Sequence, residues 1–355
     1  MKTIKDIAEE ANVSTGTVDR VIHNRPGVSP KTKKKIQKLL EKYNFERNLL
    51  ASTLASHKKY VIVALIPLAR SKKDYWFEPK EGVKTAFKEI RKYGVEAHCI
   101  HFDQFDLDSY QEALKQILEI NPDGVVFAPF FYNTSSEFSE TLDKRNIPYV
   151  YINIDLEEQK NLSFIGQDSF QGGYLCGKMM NLCADETSHL AILLSTKNID
   201  NHRAIEARTR GFLDYFSQEN TERTIKKIYF ESMELDQVRK VLTNELIQNN
   251  QIKGLFVPSS SAFIIAKFLE SVDLTNIHIV GFDAHQSNVE YIKKGIIDFV
   301  IDQNPYDQGY VSVKILFEYL LLQKKPNPKY NSPMTIVTKE NVDYFNPASL
   351  MEFTT

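Results

Sequence analysis

Cysteine is scarce in this chain, and long hydrophobic runs are missing from it. The 355 residues include three cysteines, Cys99, Cys176 and Cys183, which show none of the spacings typical of a metal site. We therefore expect reduced thiols, a reducing compartment such as the cytoplasm, and no bound metal or other cofactor. No stretch of about 18 apolar residues is present, which predicts no membrane span. The first residues also lack the apolar segment of a secretory signal.

Sequence motifs of the common enzyme classes are absent as well. We find no G-x-S-x-G nucleophile elbow, no G-x-x-x-x-G-K-[ST] phosphate loop and no H-E-x-x-H zinc motif. The histidines His101, His189 and His278 adjoin apolar runs, where structural roles are more common than catalytic ones. The residues therefore give no indication of an enzyme.

Charge is distributed unevenly along the chain. The net charge is −2, but residues 1–59 hold 13 Lys and Arg against 6 Asp and Glu, whereas the remainder holds 31 against 40. A basic head on an acidic body is expected where only the head meets a polyanion such as DNA. Lys-rich solvated helices give similar counts, so charge alone does not decide between the two.

The basic head shows three short helical patterns. They cover residues 3–11, with Thr3 as N-cap, residues 15–22 after the N-cap Ser14, and residues 29–43, which open with Ser29 and Pro30. Two helices joined by a short turn form a helix-turn-helix, whose second helix enters the major groove of DNA. A three-helix bundle that serves only packing is the alternative.

From residue 60 onward, apolar strands alternate with amphipathic helices. The predicted strands are residues 60–67, 95–102, 124–130, 147–153, 189–195, 224–230, 254–259 and 278–283. Two successive βα repeats of this kind predict an α/β fold with two doubly wound parallel-sheet lobes. We assign residues 60–340 to this two-lobed body and residues 341–355 to a C-terminal tail.

Polar and aromatic residues follow the predicted strands, and ligands of doubly wound sheets bind beyond the carboxyl ends of the strands. Rings pack on a sugar ring, and planar polar groups bracket its hydroxyls, so these side chains suit a polyhydroxylated ligand. The candidates are Tyr75, Trp76, Asn153, Asp168, Arg208, Ser259, Ser260, Asp283 and Gln303. The alternatives are a helix cap for Asp168, a solvated charge for Arg208, a turn for Asp283 and core packing for Trp76.

The head resembles the DNA-binding headpiece of the lactose-repressor (LacI) family. The family pattern, roughly D-V-A-x-x-A-G-V-S-x-x-T-V-S-R-V-L-N, then V-S and a third helix, is matched through DIAEEANVSTGTVDRVIHNRPGVSPKTKKKIQKLLEKYNF. This resemblance implies a DNA-binding domain at residues 1–47, with Thr15, Gly16 and Arg20 at base-reading positions. The implied DNA-binding set is completed by Thr3, Ser14, Thr17, His23 and Asn48.

Two residues of the head depart from the family pattern. Gly16 has no side chain with which to read a base, and Asp19 stands where the family usually has a serine near phosphate. An acid there repels DNA unless it pairs with a neighbour such as Arg20 or Arg25. The operator sequence is therefore harder to infer than the DNA-binding role.

Residues 48–59 resemble the hinge helix of the same family, which orders on operator DNA. Leu54 matches the leucine that wedges into the minor groove, and Ala51 lies one turn before it. Where the family has a proline before the hinge, this chain has Arg47. From the residues alone a simple linker is the alternative, because an isolated helix of this length is marginal in water.

The body resembles the type I periplasmic sugar-binding fold of ribose-binding proteins. The matching motifs are YWFEPKEGV, IPYVYINID, FIGQDSFQGG, EARTRGF, IVGFDA and IDQNPYDQG. The resemblance implies that the candidate residues bind a sugar-like effector, with Tyr75 and Trp76 stacking on its ring and Arg208 gripping its oxygens. It also places Asp168, Asp283 and Gln303 at sugar-binding positions.

Two replacements in the body point away from the ligand of the ribose transporters. Asn153 and Ile154 stand where an aspartate and an arginine are frequent, and Ser259 and Ser260 replace an Asn-Asp pair. We therefore expect a less heavily bracketed or differently charged ligand.

Together these observations predict a cytoplasmic, homodimeric transcription regulator, a repressor rather than an activator. Its expected partners are operator DNA and a small sugar-like effector, with no membrane contact. A transporter's solute-binding protein and a sugar-acting enzyme of the same α/β fold are the alternatives. The basic head and the missing signal sequence oppose the first of these, and the missing catalytic motifs oppose the second.

Overall fold

The computed structural model describes residues 2–22, 25–43, 59–156, 158–196, 202–219, 223–247, 251–274 and 276–345. His23, Asn48, Ala51 and Leu54 lie outside these ranges, so their DNA-binding roles stay predictions. The same holds for most of the predicted hinge. Among the described residues, no helix combines the length and the apolar character needed to cross a membrane.

The head folds into the predicted helices, which in the described residues are α1 (Ile4–Ala11), α2 (Thr15–Ile22) and α3 (Pro30–Lys42). Each begins where a hydroxyl side chain accepts a backbone N–H: Thr3 from Asp6, Ser14 from Thr17, and Ser29 from Thr32. The three helices close over a small core of Ile7, Ala8, Ala11, Val18, Val21 and Ile36. This core confirms the amphipathic patterns read from the sequence.

The first lobe is built on a parallel sheet with the strand order β11-β5-β4-β3-β1-β2. Its strands are β1 (Val61–Pro67), β2 (Glu96–Phe102), β3 (Gly124–Phe127), β4 (Tyr149–Ile152), β5 (Ser163–Gly166) and β11 (Lys329–Asn331). Its helices are α4 (Phe77–Arg91), α5 (Leu107–Ile120), α6 (Tyr132–Lys144) and α12 (Pro305–Leu322). Residues of β1 are buried because helices cover both faces of the sheet.

The second lobe repeats this arrangement with the strand order β12-β10-β9-β8-β6-β7. Its strands are β6 (His189–Ser195), β7 (Ile225–Phe230), β8 (Ile252–Phe256), β9 (His278–Phe282), β10 (Phe299–Asp302) and β12 (Thr335–Val337). Its helices are α7 (Ser169–Cys183), α8 (His202–Gln218), α9 (Leu235–Leu242, continued by a π-helix Thr243–Ile247), α10 (Ala262–Ser271) and α11 (Gln286–Lys293). Only β12 runs antiparallel to its neighbour among the described strands.

The two successive βα repeats of the sequence suggested that one lobe follows the other along the chain. In the structure each lobe is instead built from separate segments. The chain passes from β5 to α7, returns from β10 to α12, and passes again from β11 to β12. Helix α12 belongs to the first lobe because Val313, Leu316 and Phe317 are buried in its core. Three crossing segments in the described chain therefore connect the lobes, and Gln303 lies in one of them.

Glycines let pairs of helices meet backbone to backbone in each lobe. A Cβ on Gly173 of α7 would lie 1.9 Å from the carbonyl oxygen of Arg208 on α8, and one on Gly211 would lie 2.0 Å from that of Phe170. In the first lobe, Gly82 of α4 and Gly309 of α12 make equally close approaches. The position of Arg208 is thus fixed by the contact between α7 and α8.

The packed body continues beyond the predicted boundary at residue 340. Val342 is buried in the second lobe, and Phe345 packs against the same core. Both side chains belong to the folded body, although the sequence assigned them to a tail.

Candidate functional site

The second helix of the head presents the predicted base-reading residues to solvent. Thr15, Gly16 and Arg20 are exposed, while Val18 and Val21 on the opposite face are buried. Helix α2 therefore has a face free for DNA, and that face carries the residues that the sequence analysis chose. The hydroxyls of Ser14 and Thr17 lie 2.9 Å apart at its N-terminus.

Asp19 forms an ion pair within the head, with one of the cationic neighbours that the sequence offered for it. Its carboxylate lies 3.6 Å from the guanidinium of Arg25. Arg25 in turn donates its backbone N–H to the carbonyl of Arg20 at 2.8 Å. The acid on α2 is thus partly neutralised by Arg25, one of the two arginines proposed for it from the sequence.

A cleft of about 400 Å³ lies between the two lobes, at the carboxyl ends of their strands. This volume is within the range of small-molecule sites. From the first lobe it is lined by Leu68, Arg70, Lys73, Asp74, Tyr75, Trp76, Asp103, Gln104, Phe105, Phe130 and Asn153; from the second lobe and a crossing by Ala204, Ile205, Arg208, Ser259, Ser260, Ser261, Phe263, Asp283, His285 and Gln303. Every predicted effector-binding residue except Asp168 is among them.

Asp168 lies at the N-cap of α7, where its carboxylate accepts the N–H of Gln171 at 3.0 Å. This is the capping role that the sequence analysis weighed as its alternative. Trp76 is 5% exposed and packs in the first-lobe core, which is the alternative considered for it. It also lines the cleft, and its stacking on a ligand stays a prediction. Arg208 is not a solvated helix charge, because it is 6% exposed.

Asn153 and Asp283 occupy equivalent positions in the two lobes. Each directly follows the fourth strand along its lobe, β4 or β9, and each has a positive φ, 68° and 67° respectively. Asn and Asp tolerate this left-handed conformation better than most residues. The fold therefore brings one amide and one carboxylate to matching points on opposite walls of the cleft.

A chain of polar contacts joins these two walls. The amide nitrogen of Asn153 donates to the hydroxyl of Tyr75 at 2.6 Å and lies 3.4 Å from the amide oxygen of Gln303. The nitrogen of Gln303 donates to Asp283 at 2.8 Å. Gln303 thus links the walls from within a crossing segment, where a change of lobe angle would alter its contacts.

Arg208 is held from three sides. Its guanidinium donates to the carbonyl of Pro258 at 2.8 Å and to the side chain of Gln167 at 3.1 Å, and it stacks 3.7 Å from the ring centre of Phe282. Its Nε has no hydrogen-bond partner in the described part of the chain. A buried donor without a partner is costly, so this group is suited to bind a ligand oxygen.

Asp283 and two acids that interact with it have perturbed pKa values. Burial raises the pKa of Asp283 to about 6, although Arg208 and Gln303 partly oppose the rise. Burial, and then repulsion from Asp283, raises the pKa of Asp302 to about 6. Burial and these two acids raise the pKa of Glu78 to about 7. Asp283, which lines the cleft, and two buried acids that interact with it therefore change their charge near neutral pH.

His285 is a cleft residue that the sequence analysis did not identify. Its Nε2 lies 2.8 Å from the carbonyl of Ser260, which can only accept, so Nε2 carries the proton. Burial lowers the pKa of His285. Its Nδ1 is buried and unpaired among the described atoms, which leaves an acceptor for a ligand hydroxyl. The only sequence signal was its place two residues after Asp283.

A contact between the two lobes was also missed. The guanidinium of Arg203, at the start of α8, lies 4.1 Å from the ring centre of Tyr132, at the start of α6. Since these helices belong to different lobes, this cation–π contact holds the lobes together. Neither residue follows a predicted strand directly, so the search for ligand-binding residues after the ends of strands did not find them.

Comparisons with known proteins agree with this architecture. Residues 3–48 match the lacI family of bacterial regulatory proteins, and residues 63–325 match the periplasmic binding protein domain. The ribose operon repressor of Lactococcus lactis is 24% identical over 348 residues, which are 96% of this chain and 98% of that protein. Catabolite control protein A of Priestia megaterium is 23% identical over 336 residues, covering 90% and 92%.

Among solved structures, one from Bacteroides fragilis that is assigned to the LacI transcriptional regulators has a TM-score of 0.76. It is 26% identical and covers 81% of this chain and 100% of its own. These relatives are regulators rather than enzymes or transport proteins, which confirms the prediction of a DNA-binding regulator over both alternatives. The chain belongs to the lacI family of bacterial regulatory proteins, with a periplasmic binding protein domain as its body.

Proposed function

We propose that this protein is a repressor whose affinity for operator DNA is set by a sugar-like effector bound between its lobes. The observation that carries the proposal is the cleft, in which a buried arginine, a buried aspartate and an amide converge with aromatic rings. The names of relatives, among them a ribose and a sucrose operon repressor, support a sugar as the effector class.

In this proposal the cleft residues differ in the part of the sugar that they contact. Trp76 and Tyr75 offer ring faces and edges to the apolar side of a sugar. Arg208 donates to ring or hydroxyl oxygens, while ionised Asp283 and the Nδ1 of His285 accept from hydroxyls. Ser259 and Ser260 are half-buried and offer small hydroxyls in place of a carboxamide and a carboxylate. The charged side chains that line the cleft balance in sign, which favours a neutral sugar: Arg70, Lys73 and Arg208 against Asp74, Asp103 and Asp283.

On the DNA side, two heads are needed. One helix α2 covers one half-site, so a cytoplasmic homodimer with twofold symmetry reads a pseudo-palindrome. In the proposal Arg20 pairs with a guanine edge, and Leu54 wedges into the minor groove. Closure of the cleft changes the lobe angle through the three crossings and thereby the separation of the heads. Coupling of this kind is typically about 1–3 kcal/mol.

Thermal-shift screening of the full-length protein against neutral sugars, sugar acids and sugar phosphates tests the effector class. A neutral sugar that raises the melting temperature and changes operator affinity is the expected outcome. Stabilisation only by phosphorylated or acidic compounds would refute the neutral class, and stabilisation by none of the compounds would refute the sugar site.

Effector affinity is expected to weaken as the pH falls through about 6, by roughly tenfold per pH unit for one proton. A hydroxyl needs the ionised Asp283 as acceptor, and burial raises the pKa of this group to about 6. The raised pKa affects the folding stability of the free protein in the opposite direction to effector affinity. Asp283 contributes most to folding stability below pH about 4, and this contribution is lost as the pH rises through about 6. Calorimetric titration between about pH 5 and pH 8 measures the affinity. Asp283→Asn should flatten the profile, and full pH dependence in that variant would contradict the assignment.

Asp19→Ser is expected to strengthen binding to any DNA duplex several-fold. The substitution removes a negative charge and releases Arg25 toward phosphate, so the plot of log affinity against log salt should steepen by about 0.9. An exposed ion pair contributes roughly 0–1 kcal/mol, so the head should stay folded. Fluorescence anisotropy on a random duplex measures both quantities, with Glu41→Gln on α3 as the control for loss of an acid elsewhere. Equal slopes for Asp19→Ser and the unsubstituted protein would argue against the ion pair.

A further inference from the structure

A cluster of metal-ligating side chains lies in the second lobe, away from the cleft. Cys183 ends α7, His278 begins β9, and Asp298 immediately precedes β10. The cleft is at the carboxyl ends of the strands, whereas these residues are at the amino ends of β9 and β10. The sequence predicted no metal site, because the three residues are far apart along the chain.

The ligand atoms of the three side chains converge. One atom from each residue lies within 4.8 Å of the other two, and the Nδ1 of His278 is 2.9 Å from a carboxylate oxygen of Asp298. All three residues are partly buried, so the cluster is preformed yet reachable from solvent. The other oxygen of Asp298 accepts the backbone N–H of Ile279 at 2.8 Å, which orients the carboxylate.

The positive charge nearest to Cys183 is offset by acidic neighbours. Arg223 interacts electrostatically with Cys183, and it donates to the carbonyl of Ala184 at 3.0 Å. Asp185 and Glu186 interact with Arg223 in turn and offset its charge. Once a metal has displaced the thiol proton, the Cys183 thiolate and the Asp298 carboxylate match the charge of a divalent cation.

We propose that Cys183, His278 and Asp298 bind one divalent transition-metal ion, for which zinc is the best match. Sulfur, imidazole and carboxylate donors are those that Zn²⁺ uses in tetrahedral sites, and a water completes the fourth position. Binding displaces the thiol proton of Cys183 to solvent and breaks the hydrogen bonds that the thiol donates to the carbonyls of Met179 and Met180. It also replaces the hydrogen bond between His278 and Asp298. The ion ties the end of α7 to β9 and β10.

Cobalt(II) gives a direct test, because thiolate-bound cobalt has a charge-transfer absorption that other cobalt complexes lack. Chelator-treated, untagged full-length protein is titrated with cobalt(II) and then with zinc(II). We expect one cobalt per chain with this absorption, its loss on adding zinc, and a higher melting temperature with zinc. Binding without the absorption, or none at micromolar metal, would overturn the proposal.

Matched cysteine variants locate the site. Cys183→Ser should abolish the charge-transfer absorption and the zinc-dependent rise in melting temperature. Cys99→Ser is the control, because Cys99 also lies near a histidine, with its sulfur 3.7 Å from Nε2 of His101. Absorption that survives Cys183→Ser or disappears in Cys99→Ser would place the metal elsewhere and refute the assignment. Circular dichroism of each metal-free variant shows whether it is folded.

Discussion

Arg208→Ala is expected to abolish the response to effector while operator binding persists. Arg208 is 6% exposed, and its guanidinium carries an unpaired Nε beside the cleft. Two charge-assisted hydrogen bonds to a ligand, at about 1.5–3 kcal/mol each, correspond to at least a hundredfold loss in affinity. Titration calorimetry with the sugar from the screen measures affinity, and anisotropy on operator DNA measures the response.

Two further variants separate ligand binding from folding in this experiment. Arg208→Lys keeps the charge but loses the planar fork, so an intermediate loss of affinity is expected. Arg210→Ala, two residues further along α8, removes an exposed arginine stacked near Phe170 and should leave affinity unchanged. Unaltered effector response in folded Arg208→Ala, or simultaneous loss of operator binding, would contradict the role given to Arg208.

Gly173→Ala is expected to lower the melting temperature of the body by roughly 5–10 °C and to weaken effector binding as well. The added Cβ would lie 1.9 Å from the carbonyl oxygen of Arg208 and 2.6 Å from its Cα, so α7 and α8 must separate. Overpacking of this kind costs about 1–3 kcal/mol or more, which exceeds the gain of about 1 kcal/mol in helix propensity. Calorimetric melting of the full-length protein measures the effect.

Gly16→Ala is the control for the change in helix propensity. Gly16 also lies in a helix, but a Cβ there would meet only the hydroxyl of Ser14, at 3.8 Å. This variant should leave the melting of the body unchanged and stabilise the head slightly. If Gly173→Ala were as stable as Gly16→Ala, the backbone contact between α7 and α8 would not constrain the lobe as described.

Residues predicted from their place after a strand line the cleft where they follow that strand directly. Asn153, Asp283 and Gln303 were found in this way, because parallel strands end at one edge and the following residue must line it. Arg208 was predicted from its place after a strand and again from the resemblance, but its burial could not be read from a helix that also carries exposed arginines. Asp168 satisfied the same rule but caps a helix, because capping and ligand binding favour the same residue type at the same place.

The sequence pattern could not predict features that depend on how the chain passes back from the second lobe to the first. Helix α12 has apolar residues on much of its surface, and nothing in its local sequence assigns it to the first lobe rather than the second. The contact between Tyr132 and Arg203 and the cluster at Cys183 need the same long-range information. His285 was missed because its role depends on a hydrogen bond to Ser260, a residue on a different strand end.

Selection of binding sites from a random DNA duplex library by the full-length protein tests whether the protein reads operator DNA through α2. We expect enrichment of a pseudo-palindrome with two half-sites, and loss of this enrichment when the Arg20→Ala variant replaces the unsubstituted protein. Recovery of no common site, or of the same site by the Arg20→Ala variant, would contradict a repressor that reads DNA through α2.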